Sequence, residues 1–202
     1  IGEFKPAFSL SFLGGLDYLV NPATFAGSAN LDMSTGIAGE YRFSPYSGVR
    51  MLLNHNTMSG TKYQKGALAD YSATYLNVAA EYLFDLSTLL QGYTSDRKWS
   101  IGLGAGPVFT TRLAQDHSKD MVFDVTGKRA FGGQVSVPVT YAFNEQWGVL
   151  LEPRARMFAA SFSSRDLSDY PTVLVNTQMG VRYTFGDKAL LFDDEEDKSY
   201  DF

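Results

Sequence analysis

The sequence predicts an all-β fold, an eight-stranded antiparallel up-and-down transmembrane β-barrel. Eight stretches alternate between large apolar residues and small or polar ones, which is the period of a strand whose two faces meet different surroundings. Within these stretches every charged residue falls in one phase of the alternation. Very short polar turns join some strands, whereas longer polar segments join others.

Composition supports this fold class and excludes others. The 202 residues are 45% hydrophobic and 14% aromatic, with 19 glycines and no cysteine. Without cysteine, neither a disulfide framework nor a thiolate metal site can form. No basic patch indicates nucleic acid as a partner, and no apolar run approaches the roughly 20 residues of a transmembrane helix. No signal peptide is evident, so we expect an exported chain to be mature already.

The first four predicted strands follow from the alternation. In residues 4–18 the large apolar side chains occupy the even positions. The second strand, residues 31–43, runs into a polar turn at residues 44–47 that reverses the chain. The third begins at residue 48, and the fourth covers about residues 71–84.

The last four predicted strands are residues 98–112, 131–143, 147–157 and 172–185, with the turn Asn-Glu-Gln before the seventh. Each of the eight is long enough to cross a bilayer at the tilt of such barrels, which takes about 9–11 residues. Pro153, within the seventh, forfeits a ladder hydrogen bond, so we expect a bulge or a local loosening there.

The charged residues of these stretches share one face. They are Lys5, Asp17, Asp32, Glu40, Arg42, Arg50, Glu81, Arg112, Glu152, Arg154, Arg156 and Arg182. A water-facing sheet would not exclude charge from the other face so completely, so the apolar face meets either a core or lipid. A soluble barrel of the lipocalin kind, with the apolar face inside, is the alternative. The charged face is rich in Gly, Ala and Ser and balanced in sign, which favours a crowded interior and therefore the membrane barrel.

Connection lengths also favour a membrane barrel. Short turns join strands two to three and six to seven, whereas longer polar segments join one to two, three to four, five to six and seven to eight. Outer-membrane barrels have short turns at one end and long loops at the other. The connection at residues 85–98 is an exception, and its Leu-Ser-Thr-Leu-Leu-Gln predicts a small helical turn at the periplasmic interface.

Aromatic residues of the outward phase cluster near the short-turn end, as a girdle at one membrane interface does. The predicted girdle consists of Phe43, Tyr82, Phe84, Trp99, Tyr141, Phe143, Trp147, Tyr183 and Phe185. Tyr18 and Phe109 would mark the opposite interface less densely.

With these elements placed, the chain resembles the small outer-membrane barrels, specifically the eight-stranded transmembrane domain of the outer-membrane protein A type. The resemblance rests on GLGAGPV at 102–108, the Tyr-Arg-Phe strand end at 41–43, WGVLLEPRARM at 147–157, and GVRYTF at 180–185. It covers residues 4–185. It implies the outer membrane of a Gram-negative bacterium, periplasmic termini, and contact with outer-membrane lipid and lipopolysaccharide.

The stretch GVRYTF is similar to the terminal assembly signal of that family. The resemblance implies that the barrel-assembly machinery reads Val181, Tyr183 and Phe185. In the family the chain often ends there or continues into a peptidoglycan-binding domain, whereas here a short acidic tail follows. We therefore expect a barrel over residues 1–186 and an acidic periplasmic tail over residues 187–202, which offers a docking segment for other outer-membrane or periplasmic proteins.

The inward charges form the candidate site. An eight-stranded barrel is just wide enough for its side chains to fill it, and buried charges must be paired. We expect a lumen charge network formed by Glu40, Arg42, Arg50, Glu81, Glu152, Arg154, Arg156 and Arg182, with room provided by Gly102, Gly104 and Gly106. The network is either a plug of salt bridges, which we favour, or a gated path for ions or polar ligands.

Catalysis has weaker support in the sequence. Some small outer-membrane barrels modify lipids with a rim histidine, and His55 with Thr57 lies at the end of the third strand, but no Ser–His–acid pattern accompanies them. We expect His117 in a solvated loop, and the aspartates at 116–124 do not match calcium-loop spacing. No metal or cofactor is predicted. The sequence favours a non-enzymatic structural or accessory subunit; a narrow channel is the alternative, and a lipid-modifying enzyme comes third.

Overall fold

The computed structural model describes residues 4–20, 27–29, 31–64, 67–94, 97–117, 129–158 and 172–185. Its strands are β1 (Ala7–Val20), β2 (Gly27–Ala29), β3 (Leu31–Arg42), β4 (Ser47–Gln64), β5 (Ala67–Asp85), β6 (Trp99–His117), β7 (Arg129–Ser136), β8 (Val139–Ala142), β9 (Trp147–Phe158) and β10 (Thr172–Phe185). One helix, α1 (Leu86–Gln91), lies between β5 and β6.

The strands close into a ring of antiparallel neighbours. The order is β10, β1, β3, β4, β5, β6, then β7 with β8, then β9, which pairs again with β10. Strands β7 and β8 share one place in the ring, because both pair with β6 and β9 in a continuous register. Strand β2 pairs with β4. The predicted eight-stranded, up-and-down barrel is confirmed.

The alternation sorts side chains between the two sides of the wall. On β9, Arg154 and Arg156 are buried inside, whereas Leu151 and Met157 are exposed outside. Large apolar side chains are exposed on the outward phase of other strands as well, among them Met33 and Phe131. A barrel dissolved in water would have the opposite arrangement, so the soluble alternative is wrong.

Three strands continue past their neighbours at the end opposite the short turns. Strands β4 and β5 pair as far as Gln64 and Ala67, and β5 pairs with β6 as far as His117. Their lengths of 18 and 19 residues exceed the about 9–11 that cross a bilayer. With β2 they form what we call the projecting sheet. The long polar connection expected between the third and fourth predicted strands is therefore wrong, since most of its residues are strand.

Of the two alternatives expected at Pro153, the bulge is wrong and the local loosening is confirmed. Pro153 stays in register with Thr177 of β10. The ladder is interrupted across from it, where Val137 and Pro138 separate β7 from β8 without a change of register. Val137 N still donates to Pro153 O at 3.0 Å, but neither proline has an N–H to donate. A register shift does occur between β5 and β6, next to Thr74.

The helix expected in the 85–98 connection is confirmed. Asp85 caps it, since Thr88 N donates to Asp85 Oδ1 at 2.8 Å. Gly92 ends it with a φ of 76°, a left-handed conformation that glycine adopts without a Cβ clash. Asp85 N donates to Tyr46 O at 2.8 Å, so α1 lies at the short-turn end. Across the described ranges, no helix has the length and apolarity needed to span a membrane.

Candidate functional site: the charged interior of the barrel

The middle of the interior holds two arginines and two glutamates, which we call the central cluster: Arg50, Glu81, Glu152 and Arg154. Arg50 and Glu81 occupy directly paired positions on β4 and β5, while Glu152 and Arg154 are two residues apart and share the inward face of β9. Arg50 Nε donates to Glu81 Oε2 at 2.7 Å, and Arg50 Nη2 donates to Glu152 Oε1 at 3.0 Å. Arg154 pairs with Glu152 as well. Charge-assisted bonds thus connect β4 and β5 to β9 across the interior.

Glycine on β6 leaves space for this cluster. A Cβ at Gly104 would clash with Ser136 Oγ and lie 3.2 Å from Glu81 Oε2, so a side chain there would crowd two groups that bond Arg50. The space is fully used: Arg50 is 3% exposed, Arg154 2% and Arg156 0%. The interior of this barrel is therefore packed with side chains at the level of the central cluster.

A second group of charges, the short-turn cluster, lies nearer the short turns and contains Ser9, Glu40, Arg42, Asp85 and Arg182. Arg42 donates from Nε to Glu40 Oε1 at 2.8 Å and from Nη1 to Asp85 Oδ2 at 2.6 Å. Arg182 Nη2 donates to the same Glu40 oxygen at 2.9 Å and to Ser9 Oγ at 3.0 Å. Because Asp85 also caps α1, the cluster ties the helix to β1, β3 and β10.

On the other side of the central cluster, Arg156 is held by neutral amides. Its Nε donates to Gln134 Oε1 and its Nη1 donates to Asn54 Oδ1, both at 3.0 Å. Gln134 Nε2 in turn donates to Glu81 Oε1 at 2.7 Å. We call the residues at this level the amide cluster, and Gln134 connects it to the central cluster.

The amide cluster continues on β1, β3 and β10 with Asp17, Ser34, Asn176 and Gln178. Asn176 Nδ2 donates to Asp17 Oδ1 and, at 2.8 Å, to Ser34 Oγ. Gln178 Nε2 also donates to Ser34 Oγ, at 3.1 Å. Arg154 Nη1 donates to Gln178 Oε1 at 3.2 Å, so the polar side chains form one connected set through the middle of the barrel.

Beyond the amide cluster, most of the inward residues are apolar, although Arg112 is directly paired with Tyr75 there. On each strand, the next inward residue away from the short turns lies two positions along the chain. It is Leu19 after Asp17 on β1, Phe158 after Arg156 on β9, and Leu174 before Asn176 on β10. Leu19 and Leu174 are directly paired. On β4 the corresponding residue is Met58, two positions after Asn56, and on β5 it is Tyr75, two positions before Asn77. The resulting apolar cap consists of Leu19, Met58, Tyr75, Phe158 and Leu174, all buried in one cluster.

The opposite end of the interior is open. A cavity of about 190 Å³, which we call the vestibule, lies at the short-turn end and is lined by polar residues that include Ser9, Arg42, Glu145, Arg182 and Thr184. Its floor is the short-turn cluster, whose ion pairs are only partly buried. The interior thus has a polar mouth at one end and an apolar cap towards the other.

All eight residues of the predicted network lie in the interior, divided among the three clusters. The network has members that the sequence analysis did not include. Asp85 and Gln134 hold Arg42 and Arg156, and both keep the phase of the inward face. If the alternation is extended by one residue past the predicted strand ends, it assigns Asp85, and also Leu19 and Phe158 of the cap, to the inward face.

The aromatic residues near the short turns lie on the outside. Phe43, Tyr82, Trp99, Phe143 and Trp147 are exposed, and Phe84 and Tyr141 are half-buried. They make contacts with one another: ring centroids are 4.6 Å apart for Trp99 with Tyr141, 5.4 Å for Tyr141 with Phe143, and 6.4 Å for Phe43 with Tyr82.

The predicted assembly signal occupies the end of β10. Val181 is exposed on the outside, and the Tyr183 ring lies 4.8 Å from Trp147 and 4.9 Å from Phe185. Phe185 also contacts Phe8 of β1, with ring centroids 5.6 Å apart. The signal residues thus take part in the seam at which β1 closes the ring.

The remaining candidates are placed less specifically. His55 is exposed on the outer face of β4, as its phase predicts. His117 and Asp116 belong to β6 rather than to a loop, and residues 120 and 124, as well as the acidic tail 187–202, lie outside the described residues. Among the residues that the structure describes, no three His, Asp or Glu side chains are grouped to hold a metal ion.

Comparison with known proteins identifies neighbours by structure. No family model and no curated protein matches the chain by sequence. Neisserial surface protein A is 13% identical, with a TM-score of 0.58 over 88% of this chain and 97% of that one. The outer membrane protein OprG from Pseudomonas aeruginosa is also 13% identical, with a TM-score of 0.56 over 89% and 96%. A major outer membrane protein from Thermus thermophilus is 10% identical, with a TM-score of 0.54 over 90% and 100%. The chain therefore has the fold of the small outer-membrane β-barrels.

Proposed function

We propose that this chain is a non-enzymatic outer-membrane barrel that acts as a structural or accessory subunit, with an interior closed to solutes. The observation that carries the proposal is the filled interior, in which the short-turn, central and amide clusters and then the apolar cap follow one another. A permeating ion would have to break buried ion pairs and then pass the leucine, methionine and phenylalanine side chains of the cap, which cannot replace its hydration. Both steps are costly.

The outer wall supports insertion in a membrane. Its side chains are apolar and exposed, and aromatic residues gather near the short turns, as in the interface girdles of membrane barrels. The three structural neighbours are described as outer-membrane or surface proteins. By the general arrangement of bacterial barrels, we place the short turns and both termini in the periplasm and the projecting sheet outside.

Planar-bilayer conductance tests the closed interior. We expect no open steps from the wild-type protein. Since the chain has no cysteine, Arg154→Cys and Arg182→Cys each provide one thiol that a bulky reagent can modify inside the barrel. Wild-type open steps, together with steps that the reagent blocks in these variants, would show that the interior conducts and would overturn the proposal.

A narrow channel is the second candidate, and the vestibule favours it. That cavity of about 190 Å³ gives small polar solutes access to Arg42 and Arg182, whose ion pairs are only partly buried. The two functions differ in what happens beyond the short-turn cluster. Conductance through the central cluster supports a channel, whereas solute entry that stops at Arg182 supports a closed barrel with a polar mouth.

A lipid-modifying enzyme is less well supported. The positions directly paired with His55 hold Thr35 and Leu76, and neither is a carboxylate that orients an imidazole as in a Ser–His–acid triad. Incubating the purified protein with phospholipid or lipopolysaccharide in mixed micelles, and measuring acyl-chain release, tests this alternative. Release that is lost in His55→Ala would contradict the non-enzymatic function.

Partner identification tests the accessory role. We expect gentle detergent extraction of the tagged full chain to recover a defined outer-membrane or periplasmic protein in constant ratio. A chain that lacks residues 187–202 serves as the comparison, because the acidic tail is the segment for which docking is predicted. A full chain that is recovered only as a lone monomer would contradict the accessory-subunit function.

A further inference from the structure

The outer wall has a hollow across four strands, β3 to β6. Its volume is about 490 Å³, and it is bordered by Phe8, Tyr41, Tyr82 and Pro107. This volume lies in the range of roughly 300–1,000 Å³ that is typical of sites for small molecules. The hollow opens on the outside of the barrel, and we call it the wall groove.

Small outward residues create the wall groove. Gly39 and Ala80 are the two positions directly paired with Met51, on either side of it in the ring. In the neighbouring row, Ala105 is paired with Tyr82. Large residues at the edges and small ones in the floor produce a concave surface, whereas most of the outward phase carries large side chains.

We propose that the wall groove binds one acyl chain of a membrane phospholipid from the leaflet at the short-turn end. The inference rests on the proposed membrane insertion of the barrel and goes beyond it by assigning a particular lipid site. The outward residues of the floor, Gly39, Ala80 and Ala105, carry no hydrogen-bonding side chain, and neither does Met51, which lies between Gly39 and Ala80. An apolar chain can cover these side chains without leaving a polar side chain of the floor unpaired.

A polar pair marks the headgroup end of the groove. Tyr82 borders the groove, and its hydroxyl donates to Ser47 Oγ at 2.7 Å in an exposed position. Ser47 begins β4 directly after the short turn. Tyrosines at membrane interfaces lie at the level of the lipid headgroups. A lipid whose chain occupies the groove therefore has its headgroup beside Tyr82 and Ser47, in the short-turn leaflet.

A protein partner fits the groove less well than a single chain. Stable protein interfaces use roughly 20–30 residues on each side, whereas twelve residues line the wall groove. Backbone pairing with a partner strand is also excluded here, because each of β3 to β6 already has a neighbouring strand on both sides in the ring. The volume of the wall groove and its apolar lining therefore favour a single acyl chain over a protein partner.

Tryptophan quenching by a brominated lipid tests the site. The groove reporter is Tyr41→Trp in a chain that also carries Trp99→Phe and Trp147→Phe. The control carries Trp99→Phe only, so that its single tryptophan is Trp147, which is also near the short turns and is similarly exposed (47%, against 38% for Tyr41). Phosphatidylethanolamine brominated on its acyl chains is titrated into detergent micelles of each protein. We expect half-quenching of the groove reporter at an about ten-fold lower lipid-to-detergent ratio than for the control.

Filling the groove should remove this difference. Ala80→Leu places a larger side chain in the floor, and Ala155→Leu makes the same change on the outward face of β9. With Ala80→Leu, we expect the groove reporter and the control to be half-quenched at the same lipid-to-detergent ratio. With Ala155→Leu, the about ten-fold difference between these ratios should remain. If the groove reporter and the control are half-quenched at equal lipid-to-detergent ratios without Ala80→Leu, the proposed lipid site is wrong.

Three further outcomes are distinguishable. If neither tryptophan is quenched in vesicles of brominated lipid, membrane insertion itself is wrong, and with it the proposed function. If light scattering shows a dimer whose groove reporter is protected from brominated lipid, the occupant is a second copy of the chain. If unlabelled lipopolysaccharide, but not unlabelled phosphatidylethanolamine, reverses the quenching, the site takes another lipid. Each of these results contradicts the phospholipid site.

Discussion

Arg50 and Glu81 are directly paired across β4 and β5, and Arg50 Nε donates to Glu81 Oε2 at 2.7 Å. The pair is buried inside the barrel, and Arg50 also reaches Glu152 on the far side of the ring. One guanidinium thus joins two neighbouring strands to a third strand that is more than 100 residues away in sequence. Arg50 is thus the side chain of the central cluster that connects β4 and β5 to β9.

Removal of Arg50 should destabilise the barrel strongly. Arg50→Met leaves the Glu81 carboxylate buried with only the Gln134 amide as a described donor, and breaking a buried ion pair from one side costs about 3–5 kcal/mol. We expect the free energy of unfolding, measured in urea with the barrel inserted in phospholipid vesicles, to fall by about that amount.

Two further variants separate charge from packing. In the double variant Arg50→Met/Glu81→Gln, residue 81 has a neutral amide, so no unpaired charge is buried there. Part of the lost free energy of unfolding should be recovered, because Glu152 still pairs with Arg154. Arg129→Met changes an exposed arginine of β7 and should shift the unfolding free energy by no more than about 0.5 kcal/mol. Equal effects of Arg50→Met and Arg129→Met would contradict the structural importance of the central cluster.

The interrupted ladder at Pro153 should be repairable. Val137 N donates to Pro153 O, and the facing residues of such an antiparallel pair exchange two hydrogen bonds when both have an N–H. Pro153→Val supplies the missing donor, so we expect the new hydrogen bond to raise the free energy of unfolding by about 1 kcal/mol. Part of this gain is lost, because removal of the proline increases the conformational entropy of the unfolded chain.

Hydrogen exchange provides the direct measurement for this variant, since the new amide of residue 153 should exchange slowly. The control is Pro6→Val, one residue before β1, where no ladder bond is interrupted. Fast exchange at residue 153, or an equal change of stability in both variants, would show that the second bond does not form.

The aromatic contact between Trp147 and Tyr183 should contribute a measurable coupling. The two residues are directly paired on β9 and β10, and their rings are 4.8 Å apart in an edge-to-face arrangement. A double-mutant cycle with Trp147→Leu and Tyr183→Leu should give a coupling free energy of about 0.5–1.5 kcal/mol. The same cycle between Trp147 and Trp99, which lies two strands away on β6, is the control, and an equal coupling there would contradict a specific ring contact.

The orientation of the barrel can be read from epitope tags. A tag inserted between Gln64 and Ala67, at the tip of the projecting sheet, should bind antibody on intact cells. A tag inserted in the turn at residues 44–46 should bind only after the outer membrane is permeabilised. The reverse pattern of labelling would place the short turns outside the cell.

Alternation was sufficient to predict the fold and the inward position of the charges, because a period of two fixes the face of every residue in an unbroken strand. It was not sufficient to predict which charges pair. Arg42 bonds Asp85 from a strand two places away in the ring, and such a contact depends on the stagger of the strands and the direction of a long side chain. Neither is encoded in the phase of the alternation.

The projecting sheet was missed for a related reason. Residues 55–75 are rich in Ser, Thr, Gly, Asn and Tyr, so the apolar signal of a membrane strand fades there. Strand structure persists because β4 and β5 continue to pair with each other as far as Gln64 and Ala67. A loosening at Pro153 was predicted, but the part of Pro138 in it was not, because the effect of two missing N–H donors on facing strands appears only when the strands are aligned.

The pairing of β1 with β10 has a consequence for folding. Arg182 donates to Ser9 and to Glu40, which are 173 and 142 residues away in the chain. These are among the most non-local contacts that a chain of this length can make, and forming them requires closure of nearly the whole polypeptide. An open, partly folded sheet would leave Arg182 and Glu40 without each other next to hydrocarbon. Ring closure should therefore be a late, cooperative step, and half-formed barrels should be short-lived species.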